Sequence, residues 1–514
     1  MLFFRTASAF FLAGVLTAQQ PPDISWRQAF RFLNRSTFGP KRTEIAQLQR
    51  TGYEAWLDAQ FFQARPSRYL EYLQDKPIEW SQDYFFQLAM QNDDQLRQRV
   101  AFALHKIFVV SAVEVDDGRA LTSYLNLLSA LAFDNIYAIL KQVTLHPAMG
   151  DYLDMVNNDR ALPGSIAQPN ENCARELLQL FSIGLTRLKA DGSPVLDAAG
   201  NPVATYTEED VKNVTRALTG WTYPKEPGTN TDSRGHNHPY YFGFMTPKAA
   251  NHDDGPKTLL DGIELPAGQT AEQDLDAVID MLYAHPNLAP FLSKQLIQQL
   301  VSSNPSPAYV ARVSRAFEDN GSGVRGDMKA VLRAILLDSE ALDPPTDSSG
   351  HLKEPALQVL SLFRPIGGRV DDFPVLADET TEMGQKLLFP PSVFGYFSPS
   401  YRIPGVGLVG PEFQVLTSET ALRRVNFAGK LLYGGFGSYV DLDVKRYVVA
   451  AADTASLLRL VDEDLLGGWM HEDPAGESMR AAIAKAVDAQ ENAANKAATA
   501  LYLVGSSAQF QVVR

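Results

Sequence analysis

Residues 168–184 show the clearest helical alternation of apolar and polar positions in the chain. Apolar side chains recur at the spacing of one buried helix face, at Cys173, Ala174, Leu177, Leu178, Leu180 and Phe181. Pro169 disfavours a helical conformation in the residue before it, and Asn170 can cap a helix that starts at Glu171. Gly184 can adopt the left-handed conformation that closes a helix. The pattern therefore predicts a capped amphipathic helix in this segment.

Similar periodic patterns recur along the chain from residue 26, and residues 479–503 are predicted as one helix. Two long stretches, 222–257 and 389–413, break the pattern with Pro, Gly and aromatic residues. Between the 168–184 helix and the 222–257 stretch, turn signals at Asp191-Gly192 and Gly200-Asn201 predict a small surface hairpin in residues 188–206. The predicted fold class is mainly α, a multi-helix orthogonal array with a small β-hairpin insertion and long irregular loops.

The N-terminal segment has the pattern of a secretory signal peptide. Arg5 precedes an apolar run from residue 7 to residue 16, and the small residues Thr17 and Ala18 follow it. We predict a signal peptide over residues 1–18 and an exported protein, periplasmic or secreted; a buried N-terminal helix is the alternative. Residues 19–514 are predicted as a single helical domain, with a candidate sub-boundary near 338–352. No later run reaches the ~18 apolar residues of a membrane-spanning helix.

Composition narrows the function classes. The chain has 514 residues, of which 45% are hydrophobic and 21% charged, and this is typical of a globular protein. A formal net charge of −14 argues against a general attraction to nucleic acid or anionic lipid. Cys173 is the only cysteine, so no intramolecular disulfide can form. It lies on the apolar helix face, where a small core residue is expected and a nucleophile is the alternative.

The 168–184 helix carries more polar chemistry than a plain core helix needs. Glu171 and Glu176 fall on opposite borders of its apolar stripe, where they could act as a carboxylate pair with separated pKa values. In the alternative interpretation both carboxylates form ion pairs. Glu171 would pair with Arg175 four residues on, and Glu176 would meet an arginine of another helix, either Arg97 or Arg216.

The 222–257 loop contains three of the eight histidines. His236, His238 and His252, with Asp253, offer ligands for a divalent metal, although solvated loop histidines are the alternative. A turn over residues 252–257 would bring His252, Asp253 and Lys257 together for acid–base chemistry or anion binding, and a plain polar turn is the alternative. The sequence identifies no cofactor beyond this candidate metal.

Short matches in one order run along nearly the whole chain. They include Pro169-Asn-Glu-Asn-Cys-Ala-Arg-Glu-Leu177 and Leu218-Thr-Gly-Trp221. The others are residues 31–39, 52–60, 97–104, 146–149, 206–207, 210–211, 252–253, 257, 411–413, 500–504 and 510–514. In these motifs the chain resembles the bacterial family known as domain of unknown function 1800. Many members have Glu-Leu-His where this chain has Gln179-Leu-Phe181, so no role of that histidine carries over.

The resemblance implies a mostly helical exported protein, often encoded beside a partner that resembles the alkaline phosphatase–sulfatase superfamily. It carries no established reaction. Our first hypothesis is an enzyme acting on an extracellular polymer or glycan, with Glu171, Glu176, His252 and Asp253 as catalytic groups. Substrate binding is then assigned to Asn170, Asn172, Arg175, Asp210, Arg216, Trp221 and Lys257. The alternatives are a non-catalytic scaffold for a co-secreted hydrolase, with these residues as a buried polar network, and a metal-binding protein.

Overall fold

The computed structural model describes residues 23–63, 69, 73, 75–162, 164 and 166–514. The predicted signal peptide, residues 1–18, lies outside the described residues. Within them the protein is mainly α-helical, as the sequence predicts, with only short antiparallel strands. No helix in the described ranges is long and apolar enough to cross a membrane.

The helices are numbered here in chain order. They are α1 Trp26–Ser36, α2 Arg42–Thr51, α3 Tyr53–Phe62, α4 Ile78–Gln91, α5 Gln95–Ile107, α6 Gly118–Leu131, α7 Ile136–Leu145, α8 Pro147–Tyr152, α9 Asn172–Gln179, α10 Glu208–Ala217, α11 Ala271–Ala284, α12 Leu288–Leu300, α13 Pro307–Glu318, α14 Met328–Leu336, α15 Ser339–Leu342, α16 Pro355–Ile366, α17 Pro374–Glu382, α18 Ser418–Leu432, α19 Lys445–Ala450, α20 Thr454–Leu466, α21 Trp469–Glu472, α22 Gly476–Asp488 and α23 Ala493–Gly505.

Within the described ranges, the strands form four antiparallel pairs. They are β1 Trp221–Thr222 with β2 Thr246–Pro247, β3 Lys257–Thr258 with β4 Glu264–Leu265, β5 His351–Leu352 with β8 Val512–Val513, and β6 Gly368–Val370 with β7 Val440–Leu442. The predicted surface hairpin is present as three antiparallel bridges, Thr186 with Ala204, Leu188 with Pro194 and Leu196 with Pro202. Pairs such as β5–β8 join residues about 160 positions apart (513 − 351 = 162), so local sequence patterns do not reveal them.

Helix α16 lies at the centre of the packing, and all of its residues are buried. It packs against α4, α17, α18 and α20, which come from widely separated parts of the chain. The buried apolar side chains form one cluster that extends from Ala29 to Phe510. This cluster contains side chains on both sides of residues 338–352, the candidate sub-boundary, while the single-domain prediction itself stays a prediction.

Two helix boundaries differ from the sequence prediction. The helix expected to run from Glu171 towards Gly184 is shorter, since α9 ends at Gln179 and residues 180–183 form turns. Gly184 is left-handed, with φ +71°, and its N–H bonds Leu178 O at 3.0 Å, so the predicted closure is present. Residues 479–503 form two helices rather than one, because the Asn492 side chain accepts from Asn495 N and starts α23 afresh.

The β5–β8 pair yields a stability prediction at Gly350. This glycine has φ +92°, and a Cβ there would lie 2.0 Å from Val513 O. We expect Gly350→Ala to destabilise the protein by more than the ~1–3 kcal/mol that left-handed backbone costs a non-glycine residue. Gly367→Ala is the matched control, because Gly367 has φ +82° and no atom within 4 Å of the added Cβ. The free energy of unfolding is measured by urea denaturation. If Gly350→Ala and Gly367→Ala lowered it equally, a close contact between Gly350 and the C-terminal strand would be contradicted.

Candidate functional site

Helix α10 starts with the predicted capping box and places Arg216 in its last turn. Thr207 Oγ1 accepts from Asp210 N at 3.3 Å, and an Asp210 oxygen accepts from Thr207 N at 2.7 Å. These reciprocal bonds satisfy two N–H groups that a helix start leaves free. Asp210, a predicted substrate-binding residue, therefore serves the helix end in this structure.

At the other end of α10, Arg216 holds the loop that follows. Its Nε and Nη2 donate to the two Asp253 oxygens at 2.8 and 3.1 Å. Burial alone would raise the pKa of Asp253, but the hydrogen bonds from Arg216 and Gly255 N outweigh it and lower that pKa below its usual value. Asp253 is thus held ionised and fixed by a two-point contact.

His252, Lys257 and Asp274 form the enclosed part of this arrangement. His252 Nδ1 lies 2.9 Å from Thr219 O, and His252 Nε2 lies 3.2 Å from Asp274 Oδ2. The same Asp274 oxygen is 2.7 Å from Lys257 Nζ. Gly220 lets the end of α10 lie close to the His252 backbone, since a Cβ on residue 220 would lie 2.8 Å from that backbone. We call Arg216, His252, Asp253, Lys257 and Asp274 the loop network.

Burial decides what the loop network can do. His252 and Lys257 are 2% exposed and Asp274 is 0% exposed, so a polymer cannot reach them in this conformation. The charges are paired instead of left open: Lys257 with Asp274, and Arg216 with Asp253. The network ties the loop to α10 and α11. Residues 252–257 contain bends but no assigned turn, and His252 and Lys257 come together through Asp274. These enclosed pairs match a structural role better than an open active site.

The other loop histidines lie in separate places. His236 Nε2 is 3.0 Å from Asp159 Oδ1, and its Nδ1 is 3.2 Å from Asp232. His238 is exposed. Across the part of the chain that the structure describes, no group of three or more His, Cys, Asp or Glu side chains is arranged to hold a metal ion. The structure does not bring His236 and His238 together with the loop network as ligands of one metal.

The start of α9 is held by asparagines. Asn170 Oδ1 accepts from Asn172 N at 2.9 Å and so satisfies one N–H at the helix start, although the N-cap position is Glu171 and not the predicted Asn170. Asn158 brackets Asn170, donating to its carbonyl and accepting from its N–H at 2.8 Å each. Asn172 Nδ2 reaches Asp154 Oδ2 at 3.3 Å. These predicted substrate-binding amides therefore fix the backbone that leads into α9.

Arg175 joins α9 to α10. Its Nη2 lies 3.0 Å from Glu171 Oε2, the predicted pair within the helix, and 2.9 Å from Glu208 Oε2. Hydrogen bonds with Glu208 raise the pKa of Arg175 further above its already high value and lower the pKa of Glu208. Exposed pairs of this kind contribute little to stability, ~0–1 kcal/mol. Glu171 is consequently a surface ion-pair partner.

Glu176 behaves differently from Glu171. Its Oε2 is buried without a hydrogen-bond partner among the described residues, and burial raises the pKa of this carboxyl against a smaller opposing effect of Arg175. The expected partners are engaged elsewhere: Arg97 lies over the Phe133 ring at 4.5 Å, and Arg216 binds Asp253. The expectation of an ion pair between Glu176 and either arginine is wrong, because Arg97 donates to Ser129 O and Arg216 pairs with Asp253.

Two further candidate residues are enclosed. Trp221 is 3% exposed in β1 and packs in the core, so it presents no face on which a substrate could stack. Cys173 is buried, and burial raises the pKa of its thiol to about 12. A thiol with this pKa is not ionised near neutral pH, which supports the core role predicted for it.

An open cleft of about 490 Å³ lies beside these elements, and sequence reasoning did not find it. Its walls come from the end of α5, the turn after α9, the first hairpin, α12 and the 393–409 loop. Gly184 shapes one wall, because a Cβ on it would lie 2.8 Å from the Phe291 ring. The residues that line the cleft include Lys106, Leu185, Phe291, Lys294, Phe394 and Arg402.

The charge of this cleft is opposite to that of the whole protein. Lys106, Lys294 and Arg402 line it, and no Asp or Glu is among the lining residues. Lys294 and Arg402 are exposed and form no ion pair with a carboxylate of the described residues. Asn304 secures the loop that carries Arg402, donating to Val409 O at 2.8 Å and accepting from Val409 N at 3.0 Å.

The protein-family comparison matches one family over residues 31–512. That family is described as a protein of unknown function, DUF1800. The chain belongs to this family. No curated protein and no solved structure matches the chain. Membership of DUF1800 confirms the resemblance that the sequence motifs indicate. The family match supplies no reaction, so a function must be inferred from the residues of this DUF1800 chain.

Sequence reasoning missed Asp274 and the three cleft cations. A signal for Asp274 existed, because it stands beside Leu275 and four residues before Val278 on the apolar face of α11. A carboxylate on such a face is rarely buried unless a cation pairs with it. The cleft cations had no comparable signal, since they lie on separate segments and each has an ordinary local sequence.

The loop network predicts a large effect of removing Asp274. Asp274→Ala leaves Lys257 buried without its carboxylate, so we expect a loss of ~3–5 kcal/mol in the free energy of unfolding, measured by urea denaturation. Asp276→Ala is the matched control on the same helix. Its 2.6 Å pair with Lys141 is partly exposed, and its removal should cost ~0–1 kcal/mol. A small loss for Asp274→Ala would show that the network is not structural.

Glu176 predicts a pH-dependent effect. Its folded-state pKa is raised, so its contribution to stability is greatest below the unfolded pKa and falls as the pH rises through the folded value. Glu176→Gln resembles the protonated form. We expect this variant to be more stable than the wild type at pH 7, with a gain that shrinks as the pH approaches about 4.3. Unfolding midpoints across this range provide the measurement.

Glu171→Gln is the control for this prediction. It removes an exposed ion pair with Arg175, so it should lower stability slightly at pH 7. If the stability of the wild type and that of Glu176→Gln depended on pH in the same way, a buried Glu176 that binds a proton would be ruled out.

Proposed function

We propose that the protein is an exported binding protein whose cleft takes an anionic organic ligand, an acidic segment of an extracellular polymer. The observation that carries the proposal is the pair of exposed cleft cations, Lys294 and Arg402, without any lining carboxylate. The third lining cation, Lys106, is buried and pairs with Glu354 behind the cleft. The signal-like pattern of residues 1–18 supports export, and an exported protein would meet its ligand outside the cytoplasm.

The local charge of the cleft outweighs the overall charge at binding distance. The chain has 60 acidic and 46 basic residues, a formal net charge of −14, which on its own would repel an acidic polymer. Fields of exposed charges are screened over about 8 Å at physiological ionic strength. A bound anionic group therefore responds mainly to the cations that line the cleft, and its binding should weaken as salt is added.

Apolar walls suit a ligand with carbon faces as well as charges. Phe394 is 43% exposed and Leu185 is 58% exposed, and both line the cleft together with Phe291. A volume of about 490 Å³ lies within the range of small-ligand sites, ~300–1,000 Å³. Sugar rings that carry carboxylates combine an apolar face with negative charge, so an acidic glycan is the ligand class that fits best.

Catalysis by Glu171, Glu176, His252 and Asp253 has less support. None of these residues is among the lining residues of the cleft, and the loop network holds His252 and Asp253 in pairs within the protein. A non-catalytic role is accordingly the form of the proposal that these contacts favour. In the scaffold version of that role, the same cleft would hold an acidic segment of the co-secreted partner that the family resemblance implies.

The proposal predicts charge-dependent binding of polygalacturonate. Replacing both exposed cleft cations, Lys294→Glu with Arg402→Glu, should weaken binding at least ~10-fold, because ~1.4 kcal/mol corresponds to this factor and two attractions become repulsions. The measurement is titration calorimetry at two salt concentrations. Lys225→Glu with Lys485→Glu, an exposed double reversal of equal charge outside the cleft, is the control and should leave binding unchanged.

Two outcomes would contradict this function. Equal binding of neutral dextran would show that charge does not select the ligand. Shortening of the polygalacturonate chains during incubation, followed by their size distribution, would show cleavage and return the enzyme hypothesis to first place.

A further inference from the structure

A narrow recess adjoins the cleft beside α12. Lys106, Gln295 and Phe394 line both the cleft and the recess, and Gln299 lines the recess alone. The recess measures about 10 Å³, which is room for one water molecule or one hydroxyl group and not for a larger group. The inner end of the cleft is therefore shaped for a single small substituent of a ligand.

Two side-chain amides of the recess have an unused polar atom. Gln295 Nε2 and Gln299 Oε1 are both buried, and neither has a hydrogen-bond partner among the described residues. The first atom is a donor and the second is an acceptor. The two glutamines are four residues apart on α12, so they are neighbours on one face of the helix. Because buried polar atoms in native proteins are rarely unpaired, these two indicate that a further group completes the recess.

The charge of the recess is already compensated. Lys106 Nζ pairs with Glu354 Oε1, and Gln385 Nε2 donates to Glu354 Oε2 at 2.6 Å. The exposed cations Lys294 and Arg402 line the cleft and not the recess. A neutral polar group consequently suits the recess better than a second anion, and the exposed cations remain available for the negative charges of the ligand.

We propose that Gln295 and Gln299 bind one free hydroxyl group of an acidic glycan in this recess. The inference rests on the proposed function, because it concerns the same ligand whose carboxylates the exposed cleft cations bind. A hydroxyl group accepts from Gln295 Nε2 and donates to Gln299 Oε1, so it satisfies both unused atoms at once. It also reproduces the hydrogen bonds that a water molecule in the recess would make, so displacing such a water costs little.

The amide pair makes the cleft selective among acidic polymers. A uronate ring carries its carboxylate and its hydroxyl groups close together, and the chain places the charge of Lys294 directly beside the amide of Gln295. An acidic polymer without hydroxyl groups, such as polyglutamate, leaves both amide atoms buried and unpaired, and this weakens its binding. An acetylated hydroxyl group cannot donate and exceeds the volume of the recess. Free hydroxyl groups therefore select the ligand together with charge.

The test combines two ligands with two proteins in titration calorimetry. The ligands are polygalacturonate and the same polymer acetylated at its hydroxyl groups, and the proteins are the wild type and the double variant Gln295→Leu with Gln299→Leu. The wild type should bind the acetylated polymer at least ~10-fold more weakly, because the hydrogen bonds of a buried hydroxyl group contribute about this factor. The double variant should bind unmodified polygalacturonate at least ~10-fold more weakly than the wild type does, and it should bind both polymers alike.

Gln47→Leu with Gln87→Leu is the matched control, because both glutamines are exposed on helices outside this cleft. It should bind polygalacturonate as the wild type does. An acetylation effect that persists in the Gln295→Leu, Gln299→Leu variant would overturn the inference and leave the proposed function standing. A wild type that binds both polymers equally would do the same, even where the double variant does not fold. Binding that ignores Lys294→Glu with Arg402→Glu, or no binding of either polymer, would instead overturn the proposed function and the inference with it.

Discussion

An ionised side chain that leaves water must regain opposite charge and hydrogen bonds from the protein, and much of this fold meets that requirement. The largest fully buried side chains include Arg35, Arg99, Arg364 and Arg424. They meet the requirement to different degrees, because Arg35, Arg99 and Arg424 each keep two guanidinium nitrogens buried without a partner among the described residues, whereas Arg364 keeps only its Nε so. Arg364, for example, reaches Glu44, 320 residues away in sequence. Packing and charge compensation are therefore one problem in this protein, because a helix that shifts also separates a buried pair.

The same constraint explains why the chemistry suggested by the sequence does not form an active site. A histidine, two carboxylates and a lysine in one region resemble acid–base machinery when their exposure is unknown. In the structure, Asp274 takes both His252 and Lys257 as partners, and Arg216 takes Asp253. These pairs hold the 221–270 loop against α10 and α11. Asp274 and Glu176 each keep one buried oxygen without a hydrogen-bond partner among the described residues, and burial raises the pKa of Glu176.

Local features were predictable from the sequence, while long-range features were not. The capping box at Thr207, the Glu171–Arg175 pair and the left-handed Gly184 depend on residues at most a few positions apart, and all three are present. Helix lengths were less predictable, because α9 ends at Gln179 and not near Gly184. The cleft cations at positions 106, 294 and 402 belong to three separate segments, and no local pattern announces that they meet. The net charge of −14 even indicates the opposite sign for that surface.

The C-terminal strand links the core to the buried charged residues Lys353 and Glu354. β8 pairs with β5, and Lys353 N donates to Gln511 O at 2.7 Å directly beside Glu354. Lys353 Nζ lies over the Phe510 ring, 3.7 Å from the ring centroid. Residues 351–354 thus carry a strand, a buried lysine and a buried glutamate in one short run. Residues 510–513 help to enclose this run. Lys353 and Glu354 can therefore be buried only when β8 has paired with β5.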